Sequence, residues 1–179
     1  MEQNLEKLKY PIGKFECPNP ITETHLLEWT NALETLPQRL EDLVAPLSET
    51  QLDTPYRPGG WTVRQLVHHV ADSHHHSYIR FKWAMTEDTP VIKPYVQTEW
   101  AQLPDSLSSP ISLSLAHLKV VHAKLVNLLR MVQKQDLERK FIHPEGNVEV
   151  ALTENMGIYA WHGNHHYAHI KNLVERKGW

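Results

Sequence analysis

Four imidazoles crowd the segment Trp161-His162-Gly163-Asn164-His165-His166-Tyr167-Ala168-His169. His162 stands four residues before His166, and His165 four before His169. On a helix, that spacing places two side chains on one face a turn apart. Two imidazoles so placed can bind one metal ion, because neutral imidazole is a ligand for zinc, nickel, cobalt, iron and copper.

Each residue advances about 100° around a helix. Leu152, Met156, Tyr159, Gly163, Ile170, Leu173 and Val174 then form an apolar stripe. His166 falls within it and His162 at its edge, while His165 and His169 turn farther toward solvent. His162 and His166 are therefore the better ligand pair, and His169 is expected to be solvated. The bland alternative is two core-edge histidines bonded to neighbours. It is weakened by the cost of burying imidazoles without partners. A third ligand must come from another helix. His68, His69, His74, His75 and His76 share a segment whose apolar stripe is Val63, Leu66, Val67, Val70, Tyr78 and Phe81. Periodicity favours His74, near the centre of that stripe, and puts His68 and His69 well off it. Any one of the five also fits a solvated polar face. Spacing alone leaves the third ligand open.

The elements that must position these residues are four helices. Leu26, Trp29, Leu33, Leu36, Leu40, Leu43 and Leu47 recur at helical spacing from Thr22 to Leu47, with Pro37 expected to kink or restart the helix. Thr62 is a good N-cap for a second helix that runs to about Glu87. A third reads from about Ser112 to Gln135. The fourth is expected to start at Thr153 as N-cap and to run to about Arg176, with Gly178 ending it. Pro11, Gly13, Pro18 and Pro20 make the first twenty residues an extended arm rather than a helix. Pro90, Pro94, Pro104 and Pro110 punctuate one long connection, and Pro144-Glu145-Gly146 marks a turn or small hairpin between Phe141 and Val150. The result is an all-α four-helix bundle, a single domain over residues 1–179.

Composition narrows the function classes. The 18 basic and 21 acidic residues sum to −3, the wrong sign for a protein that lives on nucleic-acid phosphates. Cys17 is the only cysteine, so disulfide frameworks and cysteine-based zinc sites are excluded. Apolar runs are too short to span a bilayer. There is no signal-peptide pattern, and a cytoplasmic location is expected. No glycine-rich phosphate loop is present. Cys17 reads as inert. Trp83 and Trp100 read as packing, and Arg80 and Lys82 as an exposed face that could alternatively hold an acidic substrate.

Trp61-Thr62-Val63-Arg64-Gln65-Leu66-Val67-His68-His69-Val70-Ala71-Asp72 resembles the W-S/T-V-R-x-x-x-x-H-x-x-D helix of the DinB/YfiT-like superfamily. Its YfiT branch of metal-dependent hydrolases, which includes bacillithiol S-transferases, is similar at further points. These are Tyr10-Pro11-Ile12-Gly13-Lys14-Phe15, Arg57-Pro58-Gly59-Gly60, Ser77-Tyr78-Ile79-Arg80-Phe81-Lys82 with Thr86-Glu87-Asp88, and the His162–Ile170 segment. The resemblance covers nearly the whole chain. It implies a bundle of DinB/YfiT type in which His69, His162 and His166 bind one divalent transition metal per chain, zinc first and nickel second. His69 is carried over from the motif, against the periodicity reading. Tyr95-Val96-Gln97 departs from that branch, which has an acidic residue soon after the tyrosine.

Three neutral imidazoles leave a metal its full charge and an open position, the composition of a catalytic site. That position suits a water or a thiol as nucleophile. The expected function is a metal-dependent hydrolase acting on a small molecule. The alternatives are a thiol (bacillithiol) S-transferase and a non-enzymatic metal-binding module. No catalytic acid or base is assigned. Asp72 is a candidate to orient His69, with a surface ion pair as its other reading. A homodimer is the expected assembly, with no nucleic-acid or membrane partner.

Overall fold

A computed structural model describes residues 2–179. The helices, in chain order, are α1 (Glu2–Lys9), α2 (Glu23–Val44), α3 (Glu49–Leu52), α4 (Val63–Thr86), α5 (Gln97–Trp100), α6 (Pro104–Ser108), α7 (Ile111–Met131) and α8 (Leu152–Lys177). Two strands, β1 (Lys140–His143) and β2 (Val148–Ala151), form an antiparallel hairpin before α8. Gly146 turns it with φ of 78°.

The four long helices α2, α4, α7 and α8 form the expected bundle. Its caps follow local chemistry. The Thr62 hydroxyl accepts the Gln65 amide and the Gln65 side chain returns to the Thr62 amide, a reciprocal cap that fixes the start of α4. Gly178, at φ 67°, ends α8 in the left-handed region. Three expectations change. Residues Glu2–Lys9 are helical, so only the stretch after Tyr10 is an extended arm. α2 runs unbroken through the buried Pro37. α8 is capped at Ala151 without a side-chain bond, and Thr153 is buried in its first turn rather than capping it.

Two apolar clusters fill the bundle. One gathers Leu33, Phe81, Leu125, Phe141, Leu152 and Met156. The other gathers Leu36, Leu40, Val70, Leu118, Ile170 and Leu173. In α7, His122 lies between Leu118 and Leu125. In α8, the histidines 162–169 lie between Met156 and Ile170. The histidines thus form a polar layer between two greasy ones. At this level, α8 approaches α2 closely. A Cβ on Gly163 would meet Leu36 Cδ2 at 2.3 Å and His74 Cε1 at 3.3 Å. Only glycine leaves room there.

Candidate metal centre

The three expected ligands converge. His69, on α4, and His162 and His166, on α8, each offer a nitrogen within 4.8 Å of the others. The Nε2 atoms of His69 and His162 lie 3.2 Å apart. The rings of His162 and His166 stand 4.5 Å apart at 78°, and His69 is 4.9 Å from His166 at 79°. Trp61 covers His69 at 4.8 Å. His69 and His166 are buried and His162 is partly so.

This donor set fits a divalent transition metal. Zinc holds imidazole nitrogens at about 2.0–2.1 Å in a tetrahedron, which sets adjacent nitrogens about 3.3–3.4 Å apart. No carboxylate belongs to the group.

Burial keeps the imidazoles neutral. It lowers His69 to about 4. His162 and His166 are held well below the ordinary histidine value by burial first, and then by neighbouring histidines, His69 foremost for His162 and His162 foremost for His166. A neutral ring is the ligating form.

His74, the residue periodicity favoured, lies beside this group rather than in it. Its Nε2 is 3.2 Å from His162 Nδ1, and its Nδ1 is 2.8 Å from His122 Nε2. His122 Nδ1 reaches the Leu33 carbonyl. Both residues are buried. Sequence reasoning missed His122 altogether; its place amid the α7 stripe, between Leu118 and Leu125, was the available signal.

His165 and His169 are buried at 7% and 3% exposure, not solvated as expected. The N-terminal segment covers them. His169 Nε2 lies 3.0 Å from the Lys9 carbonyl, and the Tyr56 ring packs against it at 4.0 Å, tilted by 32°. Tyr10 and Trp161 flank His165, whose Nδ1 is buried without a hydrogen-bond partner. His165, His166 and His169 form a second group with nitrogens within 4.8 Å.

Asp72 does not hydrogen-bond His69; its carbonyl is taken by His76 Nδ1 at 2.8 Å. It is half-buried, and burial, with Asp105 nearby, raises its carboxyl to about 6. His68 bonds Ser114 and the Ser109 carbonyl, away from the centre. Exposed Cys17 is far from thiolate character, its thiol pushed up by partial burial. Trp83 and Trp100 are exposed rather than core residues, though Trp100 packs on Tyr95 and His76.

A cavity of about 870 Å³ reaches the centre. His162 lines it; His69 and His166 do not. Its walls include Ser73, Arg80, Tyr95, Phe141, Asn155 and Tyr159. Arg80 is therefore partly buried in the cavity, not on an open face as expected, and donates to the Tyr159 hydroxyl at 3.1 Å. Lys82 is exposed. The Tyr95 hydroxyl is buried without a partner, and burial pushes its pKa up to about 12.

The family model of the DinB superfamily matches residues 32–170. The chain belongs to the DinB superfamily. Among DinB relatives, the chain is 51% identical over 175 residues to a protein of Bacillus cereus and to one of Bacillus thuringiensis subsp. konkukian. In each case the match covers 98% of this chain and all of the relative. Both bear the name "Putative metal-dependent hydrolase". YfiT from Bacillus subtilis superposes with a TM-score of 0.94 at 45% identity, covering 97% of this chain and 99% of YfiT. It is described as a probable metal-dependent hydrolase with an unusual four-helix bundle topology. TT2238, a four-helix bundle protein, shares the fold at a TM-score of 0.55 and 21% identity. Among the described residues, no helix is long and apolar enough to cross a membrane.

Proposed function

We propose that the chain is a metal-dependent hydrolase of small molecules, with His69, His162 and His166 holding one divalent transition metal, zinc first and nickel second. The observation that carries this reading is the convergence of three neutral imidazoles, of which His162 alone opens onto a large cavity. When bound, the metal supplies a Lewis acid that lowers the pKa of a nucleophile and polarises an acceptor oxygen.

The chain's own residues bind, orient and exclude water. Trp61 packs on His69, and the two apolar clusters flank the histidine layer. The Tyr95 hydroxyl stays protonated at neutral pH and is a free donor at the cavity wall. It is placed to hold a substrate oxygen. Arg80 adds a fixed positive charge beside Tyr159, which favours a substrate with an anionic or carbonyl group.

The second reading, transfer of a low-molecular-weight thiol onto an electrophile, is favoured by the size of the cavity. Small-molecule sites run to about 300–1,000 Å³, so about 870 Å³ admits a thiol and its electrophile together. Turnover by zinc-loaded protein decides between them. Activated esters should be hydrolysed without added thiol on the first reading. Strict thiol dependence with conjugate formation would replace it with the second. Equal rates from the metal-free chain would overturn both.

A further inference from the structure

The contacts around His162 and His166 fix more than position. Pro37 stands four residues after Leu33 in α2 and has no N–H, so the Leu33 carbonyl lacks its helical donor. His122 Nδ1 fills that role. A carbonyl only accepts, so His122 carries its proton on Nδ1. Neutral His122 then accepts at Nε2, and the partner 2.8 Å away, His74 Nδ1, must be the donor. That leaves His74 Nε2 as an acceptor, and His162 Nδ1, 3.2 Å away, must donate to it. The proton of His162 is thereby held on Nδ1, and Nε2 keeps its lone pair. This is the atom that faces His69 Nε2.

The other ligand repeats the device. Lys9 is the last residue of α1, and its carbonyl is one of the terminal carbonyls a helix leaves unpaired. His169 Nε2 donates to it at 3.0 Å. His169 Nδ1 is then an acceptor, and His166 Nδ1, 3.4 Å away, donates to it. Again Nε2 is left free to bind a metal.

We propose that His74 with His122, and His169, are positioning residues that set the ligating tautomers of His162 and His166, each relay ending on a helix carbonyl without a helical donor. Metal-ligating histidines generally donate their second ring N–H to an acceptor that fixes ring and tautomer. Here the acceptor is another histidine. The second group, His165, His166 and His169, is accordingly not a metal site, because His169 Nδ1 is occupied in accepting from His166. The inference rests on the proposed metal-binding role of His162 and His166.

The test uses the full chain, metal-free and zinc-loaded. Long-range nitrogen–proton correlation spectra of the metal-free chain should show the proton on Nδ1 in His122, His74, His162 and His166, and on Nε2 in His169. Free imidazole side chains favour the Nε2–H form, so four of these five run against the ordinary preference. Zinc affinity, measured by competition with a chromophoric chelator, should fall about 10–100-fold in His74→Leu and His169→Leu. His74→Gln and His169→Gln should regain most of it, because an amide supplies one acceptor and one donor in the same order. His75→Ala, at a half-buried histidine that pairs with His117 away from the centre, should bind as the unaltered chain does. His162 protonated on Nε2 in the metal-free chain would overturn the relay, as would Leu and Gln variants that bind zinc alike. Two zinc ions per chain, one lost in His165→Ala, would overturn the His166 arm. If the unaltered chain took no zinc, the functional reading would fail, and the tautomers would still decide the relay.

Discussion

His162 Nε2 and His69 Nε2 face each other at 3.2 Å, although 93 residues separate them in the chain. Since His162 keeps its lone pair there, the contact leaves His69 Nε2 to donate in the metal-free chain. On the proposed ligand set a cation takes the place of that proton, with His166 as third donor.

Metal content should follow this geometry. Purified protein is expected to hold about one transition metal per chain. His69→Ala, His162→Ala and His166→Ala should each lose it, as read by elemental analysis. Retention in His69→Ala with loss in His74→Ala would show that the helix-phase argument identified the third ligand and the motif did not.

Acid should unfold the metal-free chain early. His69, His122, His165 and His169 are lowered to about 4, and His74, His162 and His166 are held well below the ordinary histidine value, all by burial first. An unfolded histidine takes its proton near 6.5. The unfolded state therefore binds more protons as pH falls from about 7 toward 4, and stability is lost across that window. Each such histidine contributes about 1.4 kcal/mol per pH unit once its unfolded form is protonated. Several together exceed a typical domain stability of about 5–15 kcal/mol within a few pH units. Circular dichroism is expected to show an unfolding midpoint above pH 4. A chain still folded at pH 3 would contradict the buried neutral layer.

Asp72→Asn should stabilise the protein. Burial, with Asp105 nearby, raises the Asp72 carboxyl to about 6, well above the ordinary aspartate value of about 3.9. The folded state therefore binds the extra proton, and the charged form costs stability above pH 6. Removing the charge should gain about 1–3 kcal/mol at pH 7 and little at pH 4. Zinc binding should be unchanged, since Asp72 does not touch His69. Thermal melts at the two pH values and a zinc titration check both points.

Gly163→Ala should destabilise despite the better helix propensity of alanine. Propensity alone would gain about 1 kcal/mol. The new methyl would overlap Leu36 Cδ2, which is buried, and the repacking costs about 1–3 kcal/mol. Combined with Leu36→Ala, the loss should be smaller than the sum by at least about 1 kcal/mol in a double-mutant cycle. Strict additivity would mean that the overlap is relieved elsewhere.

The bundle was largely readable from sequence because α2, α7, the start of α4 and the end of α8 carry clear signals: leucine at helical spacing, Thr62 as an N-cap, Gly178 at a helix end. His162 and His166 followed from phase. His69 did not, and the reason is physical. α4 is buried from Val63 through Ala71 without interruption, since α6, α7 and α8 all pack against it. A helix enclosed on several sides has no single apolar stripe, so distance from the stripe does not measure exposure. His165 and His169 misled for a related reason. Their face of α8 is covered by residues 9–13, where Tyr10 packs on His165 and Lys9 and Gly13 supply carbonyls to His169 and Trp161. Proline and glycine in that segment marked irregular backbone but not what it would lie on. His122 was invisible because its partner is a main-chain carbonyl released by a proline.

The separation of 160 positions between Lys9 and His169 matters while the protein is being made. Synthesis proceeds at about 5–20 residues per second, so His69 waits about 5–20 s for His162 to be added. During that interval, α4 exposes a row of apolar and imidazole side chains with neither of its partners from α8. No nascent intermediate short of α8 can present three ligands to a cation. On the proposed ligand set, loading with metal therefore waits until α8 has been added and docks on α4.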